Sequence, residues 1–368
     1  METLNLERIE KEVISQFEFS EKLVTFARFG NGHINDTFII NTDTDIKYVL
    51  QRINTNVFKK PDEVMENIIN VTEFIRKKLE EQNGDVQRGT MHFCKTSDGK
   101  GLYIDSEGLA WRMYRFIDKS ISLDLPETKE DFYQSAVAFG SFQKMLSDFP
   151  AETLHETIVN FHNTPVRFEN FLNSVEKNLS GRRDTALEEI KFVKDREAFT
   201  HVLMDALESK KIPLRVTHND TKMNNVLLDE DTRKQVCVID LDTIMPGLSV
   251  NDFGDSIRFG ASTAAEDEKD LDKVHFDISL FETYLKGFID GCGEGLTANE
   301  IELLPEGAKM MTLECGMRFL ADYIDGDTYF RTHYPEHNLD RCHTQFKLVS
   351  EMEDKWDDMK ALVRKYIK

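Results

Sequence analysis

The sequence predicts a two-lobed α+β fold, an N-terminal antiparallel sheet with one inserted helix followed by a mainly helical C-terminal lobe. Three observations carry that expectation. At 368 residues the chain exceeds what one compact core usually serves, so two lobes or domains are expected. Strand-like runs crowd into the first 115 residues. From Thr128 onward, long helical periodicities take over.

The elements follow in order. METLNLERIEKEVISQF is charged and amphipathic and reads as an opening helix. LVTFARFG, INDTFIIN and IKYVLQRI come next, joined by short polar turns in the manner of an antiparallel meander. Pro61 then starts a helix on which Val64, Ile68, Val71, Ile75 and Leu79 recur at helical spacing. GLYIDSEGLAWRMYRFID reads as a hairpin turning at Ser106 to Gly108, its longer second strand running out at Asp118. These readings set an N-terminal lobe at residues 1–115, a hinge at about 112–118 and a second lobe at 116–368. In the second lobe, Thr128 to Phe149 and Asn299 to Tyr323 are the clearest helices, and Thr297 with Glu300 forms a capping box before the latter. One strand-like interruption remains: PLRVT, NVLLDE, a polar turn DTRK, and QVCVIDLD.

Charge narrows the partners. Lys and Arg number 46 against 67 Asp and Glu, a formal net charge of −21, which opposes binding to a nucleic-acid backbone. The same charge means that any site for nucleotide phosphates needs local Arg or Lys groups and a divalent cation. Five cysteines, odd in number and without a C-x-x-C pair, suggest neither a disulfide framework nor a zinc knuckle and fit a reducing compartment. No apolar signal core or membrane-spanning run is present, so a cytoplasmic protein is expected, with no membrane partner, as a monomer or small homo-oligomer.

The chemistry concentrates in THNDTKMNNVLL and VCVIDLD. Asp220 and Asn225 sit five residues apart in a loop between short strands, and the hairpin returns Asp240 at the end of an apolar strand. One carboxylate to orient an attacking hydroxyl, with an Asn and a second carboxylate to hold Mg²⁺, is the set that phosphoryl transfer requires. The spacing matches the kinase template H-R-D-x-x-x-x-N followed by a metal-binding Asp, with Asn219 in place of Arg and IDLD in place of D-F-G. His218 reads as a residue that braces the loop. Turn-forming residues need no fixed spacing across two strands, so the combination outweighs the turn-and-cap reading that any single Asp invites.

His218-x-Asp220-x4-Asn225 followed by a strand ending Ile239-Asp240 resembles the aminoglycoside phosphotransferase and choline kinase superfamily, small-molecule kinases with a protein-kinase-like fold. RVTHNDTKMNN, IDLDTIMPG, DFGDSIRFGAS and ECGMRFLADY are more similar still to the N-acetylhexosamine 1-kinases of that superfamily, which phosphorylate the anomeric hydroxyl of GlcNAc and GalNAc. The similarity runs from about Phe29 to the C-terminus and is densest from Leu214 to Thr344. The resemblance implies ATP as co-substrate, Mg²⁺, Asp220 as catalytic base, Asp240 as a metal ligand assisted by Asn225, and Asp242 as a second acid. It also implies that Arg318 in CGMRFLADY and Tyr329 in GDTYF belong, with Asp220, to the acceptor pocket. Arg318 falls on an apolar helix face and needs a partner or ligand there, whereas Tyr329 suits a core tyrosine equally well. In the N-terminal half, Gly30 and Gly32 of FGNGHIND suit either a plain hairpin turn or a phosphate loop. Arg52 in YVLQRIN is the counterpart of the strand lysine that kinases point at phosphate, although Glu66 and Glu73 both lie off the place of its helix partner. The backbone of Arg115 to Ile117 is the expected adenine contact.

Other readings compete. A different acceptor, such as an aminoglycoside, choline or another amino alcohol, would leave the transfer machinery unchanged, but a cation would want acids or aromatics where Arg318 lies. A non-catalytic nucleotide- or sugar-binding protein is the reading from another class, and the intact acid set speaks against it. HYPEH (His333 to His337) matches the letters of an inverted zinc-protease motif, but Pro335 breaks the helix such a motif needs. GCGEG follows a helical stretch and reads as a helix stop, and EDEKDLD from Glu266 reads as a solvated face.

Overall fold

The computed structural model describes residues 6–30 and 35–367. Five antiparallel strands form the N-terminal sheet in the order β1-β2-β3-β5-β4: β1 Leu23–Arg28, β2 Asp36–Thr42, β3 Lys47–Ile53, β4 Tyr103–Ile104 and β5 Ala110–Arg115. Alternation along the strands gives the sheet two distinct faces. Phe38, Leu50, Trp111 and Met113 share one face and bury against Ile9 and Val13 of the opening helical segment. Ile53 and Ala110 belong to the other face and join a core with Val64, Met65, Ile68 and Val71 of the inserted helix Pro61–Glu81. That helix begins with proline, carries Asp62 and Glu63 in its first turn and Lys78 in its last, all favourable to its dipole.

The helical half is built around Lys129–Met145, Ser249–Gly260, Ile278–Cys292, Leu304–Asp325 and His337–Asp354. Thr128 and Asp131 cap the first of these reciprocally. The expected Asn299 to Tyr323 helix is two helices, Ala298–Glu302 and Leu304–Asp325, because Pro305 starts a new one; the Thr297–Glu300 capping box opens the first. Gly293, at φ 55°, stops Ile278–Cys292, so GCGEG is a helix stop.

Two small sheets carry the loop-rich centre. In one, β8 Val226–Asp229 lies between β6 Ser120–Ile121 and β9 Gln235–Val238; in the other, β7 Arg215–Thr217 pairs with β10 Met245–Gly247. β6 and β10 were not legible as strands, because Ser120–Ile121 and Met245–Gly247 carry no alternating apolar run. The second strand of the long hairpin ends at Arg115, ahead of the expected Asp118. Among the described residues no helix is long and apolar enough to cross a membrane, and all five cysteines are free.

Ser249–Gly260 crosses Leu304–Asp325 at a pair of glycines. A Cβ on Gly254 would lie 2.2 Å from the Gly307 carbonyl oxygen, and one on Gly307 would lie 2.1 Å from the Val250 carbonyl oxygen. Alanine gains about 1 kcal/mol of helix propensity over glycine, but forcing an atom into packed backbone costs about 1–3 kcal/mol or more. Gly254→Ala is therefore expected to lower the urea midpoint without changing the slope of the transition, and a raised midpoint would contradict this packing.

Candidate active site

The candidate catalytic loop follows β7, which pairs antiparallel with β10, Thr217 opposite Met245. His218 is wholly buried, flanked edge-on by Phe139 and Phe142. Its Nδ1 accepts from the Asp220 N–H at 3.3 Å, which leaves Nε2 to donate to the Ile239 carbonyl at 2.9 Å. The ring thus braces the loop from both nitrogens. Asn219 has a left-handed backbone, φ 64°, which asparagine tolerates better than most residues. Its side chain accepts from Thr217 Oγ1 and donates to the Thr243 carbonyl at 2.8 Å, so the residue standing where kinases carry Arg serves the loop's own shape.

Two buried carboxylates on Ser249–Gly260 hold this loop by its backbone. Asp252 accepts from the N–H groups of His218 and Asn219 at 2.9 and 2.8 Å and from Gln143 Nε2 at 2.9 Å. Asp255 accepts from the Thr221 N–H at 3.0 Å and from Arg258 Nε at 3.0 Å. Burial pushes Asp255 up, but Arg258 and Lys222 together bring it below the usual aspartate value.

Held this way, Asp220 presents its carboxylate at the cleft, 29% exposed, with Lys222 Nζ 2.8 Å from Oδ1. Burial pulls Lys222 down, yet Asp220 beside it leaves the amine above its ordinary value. Asn225 Nδ2 donates to the Asp220 carbonyl at 2.8 Å and lies 3.3 Å from Asp220 Oδ2. The Ile239 N–H donates to the Asn225 carbonyl at 2.9 Å, placing Asn225 next to Asp240, whose backbone is left-handed at φ 60°. The structure therefore brings Asp220, Asn225 and Asp240 together. Asp240 is open to solvent, but the surrounding cleft walls displace bulk water; that desolvation, with Asp242 and Asp220 nearby, raises its carboxyl to about 6.

Asp242 sits differently. It is buried, with one oxygen bound by Arg112 of β5 and the other accepting from Asn35 Nδ2 at 2.6 Å. Arg52, expected to face phosphate, lies on the sheet face opposite Arg112, because strand alternation puts it with Leu50 and Trp111; it donates to Asp36 Oδ2 at 2.8 Å. Glu66 and Glu73 pair with His155 and Arg76. Gly30 has φ 71° with open space around it, as a tight turn requires, and Gly32 lies outside the described residues. At the hinge, the N–H groups of Arg115 and Phe116 go to the carbonyls of His92 and Lys47, so of the expected adenine contacts the Ile117 N–H is the donor without a partner among the described residues.

On the other side of the catalytic loop, Arg318 lies over the rings of Phe161, Tyr329 and Phe330, with Nη2 3.5 Å from the Tyr329 hydroxyl. Tyr329 is 69% exposed, which rules out the core-tyrosine reading. Asp322, one turn beyond Arg318, accepts from the N–H groups of Thr328, Tyr329 and Phe330 and so shapes the loop that presents Tyr329. His162 links this region to the loop: Nδ1 is 2.8 Å from Glu314 and Nε2 3.5 Å from the Asn219 carbonyl. A cavity of about 390 Å³ lined by Leu79, Arg88, Asp229 and Lys234 lies elsewhere, behind the hinge. The candidate site is the open cleft.

Comparison with known proteins fits this geometry. Residues 25–283 match the phosphotransferase enzyme family. The chain belongs to that family. Several solved structures share the fold of this phosphotransferase at low identity. A microcompartment-associated aminopropanol kinase is 14% identical, with a TM-score of 0.63 over 96% of this chain and 98% of its own. A spectinomycin phosphotransferase, solved with ADP and spectinomycin, is 14% identical, with a TM-score of 0.57 over 97% and 99%. An amicoumacin kinase, solved with AMP-PNP and Ca²⁺, is 11% identical, with a TM-score of 0.60 over 96% and 94%.

Five residues of the phosphotransferase cleft escaped sequence reasoning: Asn35, Arg112, Lys222, Asp252 and Asp255. For Lys222 a signal existed in its place two residues after Asp220, and for Asp252 and Asp255 in their i, i+3 spacing on one helix. No group of three or more His, Cys, Asp or Glu side chains gathers as a metal site among the described residues, HYPEH included. A hard cation that keeps most of its oxygens from phosphate and water needs just one or two protein ligands. Asp240 and the amide oxygen of Asn225 fit that need, since a cation there offsets the desolvation and the Asp242 and Asp220 charges that raise Asp240.

The raised Asp240 carboxyl has a measurable sign. In the folded chain Asp240 titrates near 6, against 3.8 for an ordinary aspartate. Between those values the folded state holds the extra proton, so stability falls as pH rises through the window. With a chelator present, Asp240→Asn is expected to raise the melting temperature at pH 7 and to leave it unchanged near pH 4. An equal difference at both pH values would contradict the assignment.

Proposed function

We propose that this phosphotransferase moves the γ-phosphoryl group of ATP to the anomeric hydroxyl of an N-acetylhexosamine, GlcNAc or GalNAc, giving the sugar 1-phosphate. The observation that carries the transfer step is the convergence of Asp220, Asn225 and Asp240 on one cleft. Asp220 accepts the hydroxyl proton as the hydroxyl oxygen bonds to the γ-phosphorus and the bond to the β–γ bridging oxygen breaks, releasing ADP. Lys222, at 2.8 Å from that carboxylate, orients it and offers positive charge to the transferred group. Asn225 and Asp240 would hold Mg²⁺, which supplies neutralising charge to the phosphates. The Ile117 N–H would receive the nucleobase and the turn at Gly30 the phosphates.

The acceptor side supports a polyhydroxylated, uncharged ring. Arg318 and Arg167 make no ion pair among the described residues, and burial and Arg318 both pull Arg167 below its ordinary value. Arg167 donates to the Phe161 carbonyl, leaving part of its fork available. An exposed tyrosine offers a ring to stack on, and the arginines offer fixed donors to ring oxygens or an N-acyl carbonyl. The names of the similar structures favour a second reading, an amino alcohol or aminoglycoside acceptor. Two unpaired guanidinium groups would repel such a cation.

A panel of GlcNAc, GalNAc, choline, aminopropanol and an aminoglycoside, each incubated with MgATP and read by phosphorus NMR, separates these. The expected product is a C1 phosphate on the N-acetylhexosamine, and turnover confined to the amines would overturn the sugar reading. Asp220→Asn is expected to lower kcat by roughly 10²–10⁴ with nucleotide affinity retained. Near-normal turnover in that variant would remove Asp220 from its role. Arg318→Gln is expected to raise the sugar KM by about tenfold, the loss of one charged hydrogen bond, and to leave the ATP KM unchanged.

A further inference from the structure

We propose that Arg112 and Asp242, with Asn35, form a clamp that sets the N-terminal sheet in register with the metal-holding loop, and that Asp242 serves as this positioning residue and not as a metal ligand. The proposal rests on the transfer site described above and adds to it the device that aligns its two halves. In kinase-like folds a strand cation and a helix glutamate form the ion pair that readies the nucleotide site. Here that pair is missing: Arg52 points to the far face of the sheet, and Glu66 and Glu73 are paired elsewhere. Directly across from Gln51 on the next strand stands Arg112, on the face that meets the second lobe.

The clamp is buried and continuous. The Arg112 and Asp242 side chains are 2% and 6% exposed, so neither charge is tolerable without the other. Gln51 Oε1 accepts from Arg112 Nε at 2.9 Å and fixes the guanidinium plane. The second oxygen of Asp242 holds Asn35, and Asn35 Oδ1 in turn accepts from the Asn54 N–H at 3.0 Å. One carboxylate thereby ties β5, the start of β2 and the exit of β3 to a loop in which Asp240 lies two residues away. Asp242 is buried with a donor already on each oxygen, whereas Asp240 has no hydrogen-bonded partner among the described residues and is open to the cleft. Since small misplacements of reacting groups are costly, this register controls the rate of transfer more than the affinity for the acceptor.

The test uses the full chain and two kinds of variant. Removing one member of a buried pair strands a charge and risks unfolding, so the paired apolar replacement Arg112→Met with Asp242→Leu is the main variant. Asn35→Ala, which strands no charge, is the second. Hydrogen exchange reads the clamp without any acceptor: both variants are expected to speed exchange of the Asn54 amide, and the paired one also exchange across residues 239–243. Unchanged exchange at Asn54 in both would overturn the clamp whatever the enzyme's substrate proves to be. With the acceptor identified, the paired variant is expected to lose roughly 10–100-fold in kcat while the acceptor KM stays constant. Mn²⁺ titrated without nucleotide completes the test: affinity is expected to fall in Asp240→Asn and to hold in the paired variant. An equal fall in both would make Asp242 a metal ligand and overturn the proposal. Failure of Asp220→Asn to reduce transfer would instead strike the catalytic reading alone.

Discussion

The site depends on one buried carboxylate. Asp252 lies in the interior, where burial pushes its carboxyl above the usual value, and an isolated charge there would be very costly. Three N–H donors offset that cost, and two of them come from consecutive residues of the catalytic loop, His218 and Asn219. The exchange is reciprocal: the loop needs an acceptor for backbone groups that no strand can satisfy, and the carboxylate needs donors. Together they hold the loop in the conformation in which Asp220 faces the cleft. The close crossing at Gly254 and Gly307 brings Asp252 near enough to do this. The geometry of the loop is thus set by helix packing at Gly254, two residues from its anchor Asp252.

Electrostatics explains why the cleft is built from opposed charges. A chain with a net charge of −21 cannot attract a polyanionic nucleotide by its overall field. It concentrates Lys222, Arg112 and Arg258 close to the acids instead, each held by a carboxylate partner. Asp240 is left without an ion pair among the described residues and is raised by burial and by Asp242 and Asp220. A strained acid beside well-paired ones is the pattern expected where stability is given up for binding.

Much of this was legible before the structure. Period-two and period-3.6 patterns in long segments gave the sheet, the Pro61–Glu81 helix and the helical second half. The spacing of Asp220, Asn225 and Asp240 predicted that these three would converge, because a loop between two paired strands leaves few other ways to place them, and in the structure they do. Arg52 shows where reading by spacing stops. Gln51 and Arg52 are adjacent letters but point to opposite faces, and no periodicity in YVLQRI says which face meets the cleft; the register with Phe38 and Trp111 decides it. Asp242 is similar, since IDLD offers two acids and only tertiary partners distinguish the one that binds Arg112. Strands as short as β6 and β10 carry no pattern, and the break at Leu303 hid inside an otherwise helical run until Pro305 was seen to start a new helix.

The division of labour within the second lobe bears on specificity. Ser249–Gly260 anchors the catalytic loop, whereas Leu304–Asp325 presents Glu314, Arg318 and Asp322 at successive turns of a single face. Asp322 builds the Tyr329 loop from three backbone N–H groups without touching the transfer residues. Between the Arg318 and Tyr329 surface and the loop carrying Asp220 stands His162, held by Glu314 on one side and near the Asn219 carbonyl on the other. Side chains on that surface can therefore change with little consequence for Asp220, as long as this one bridge persists. A fold arranged so keeps its phosphoryl chemistry fixed and leaves its acceptor adjustable, which is why similar folds carry the names of such different acceptors.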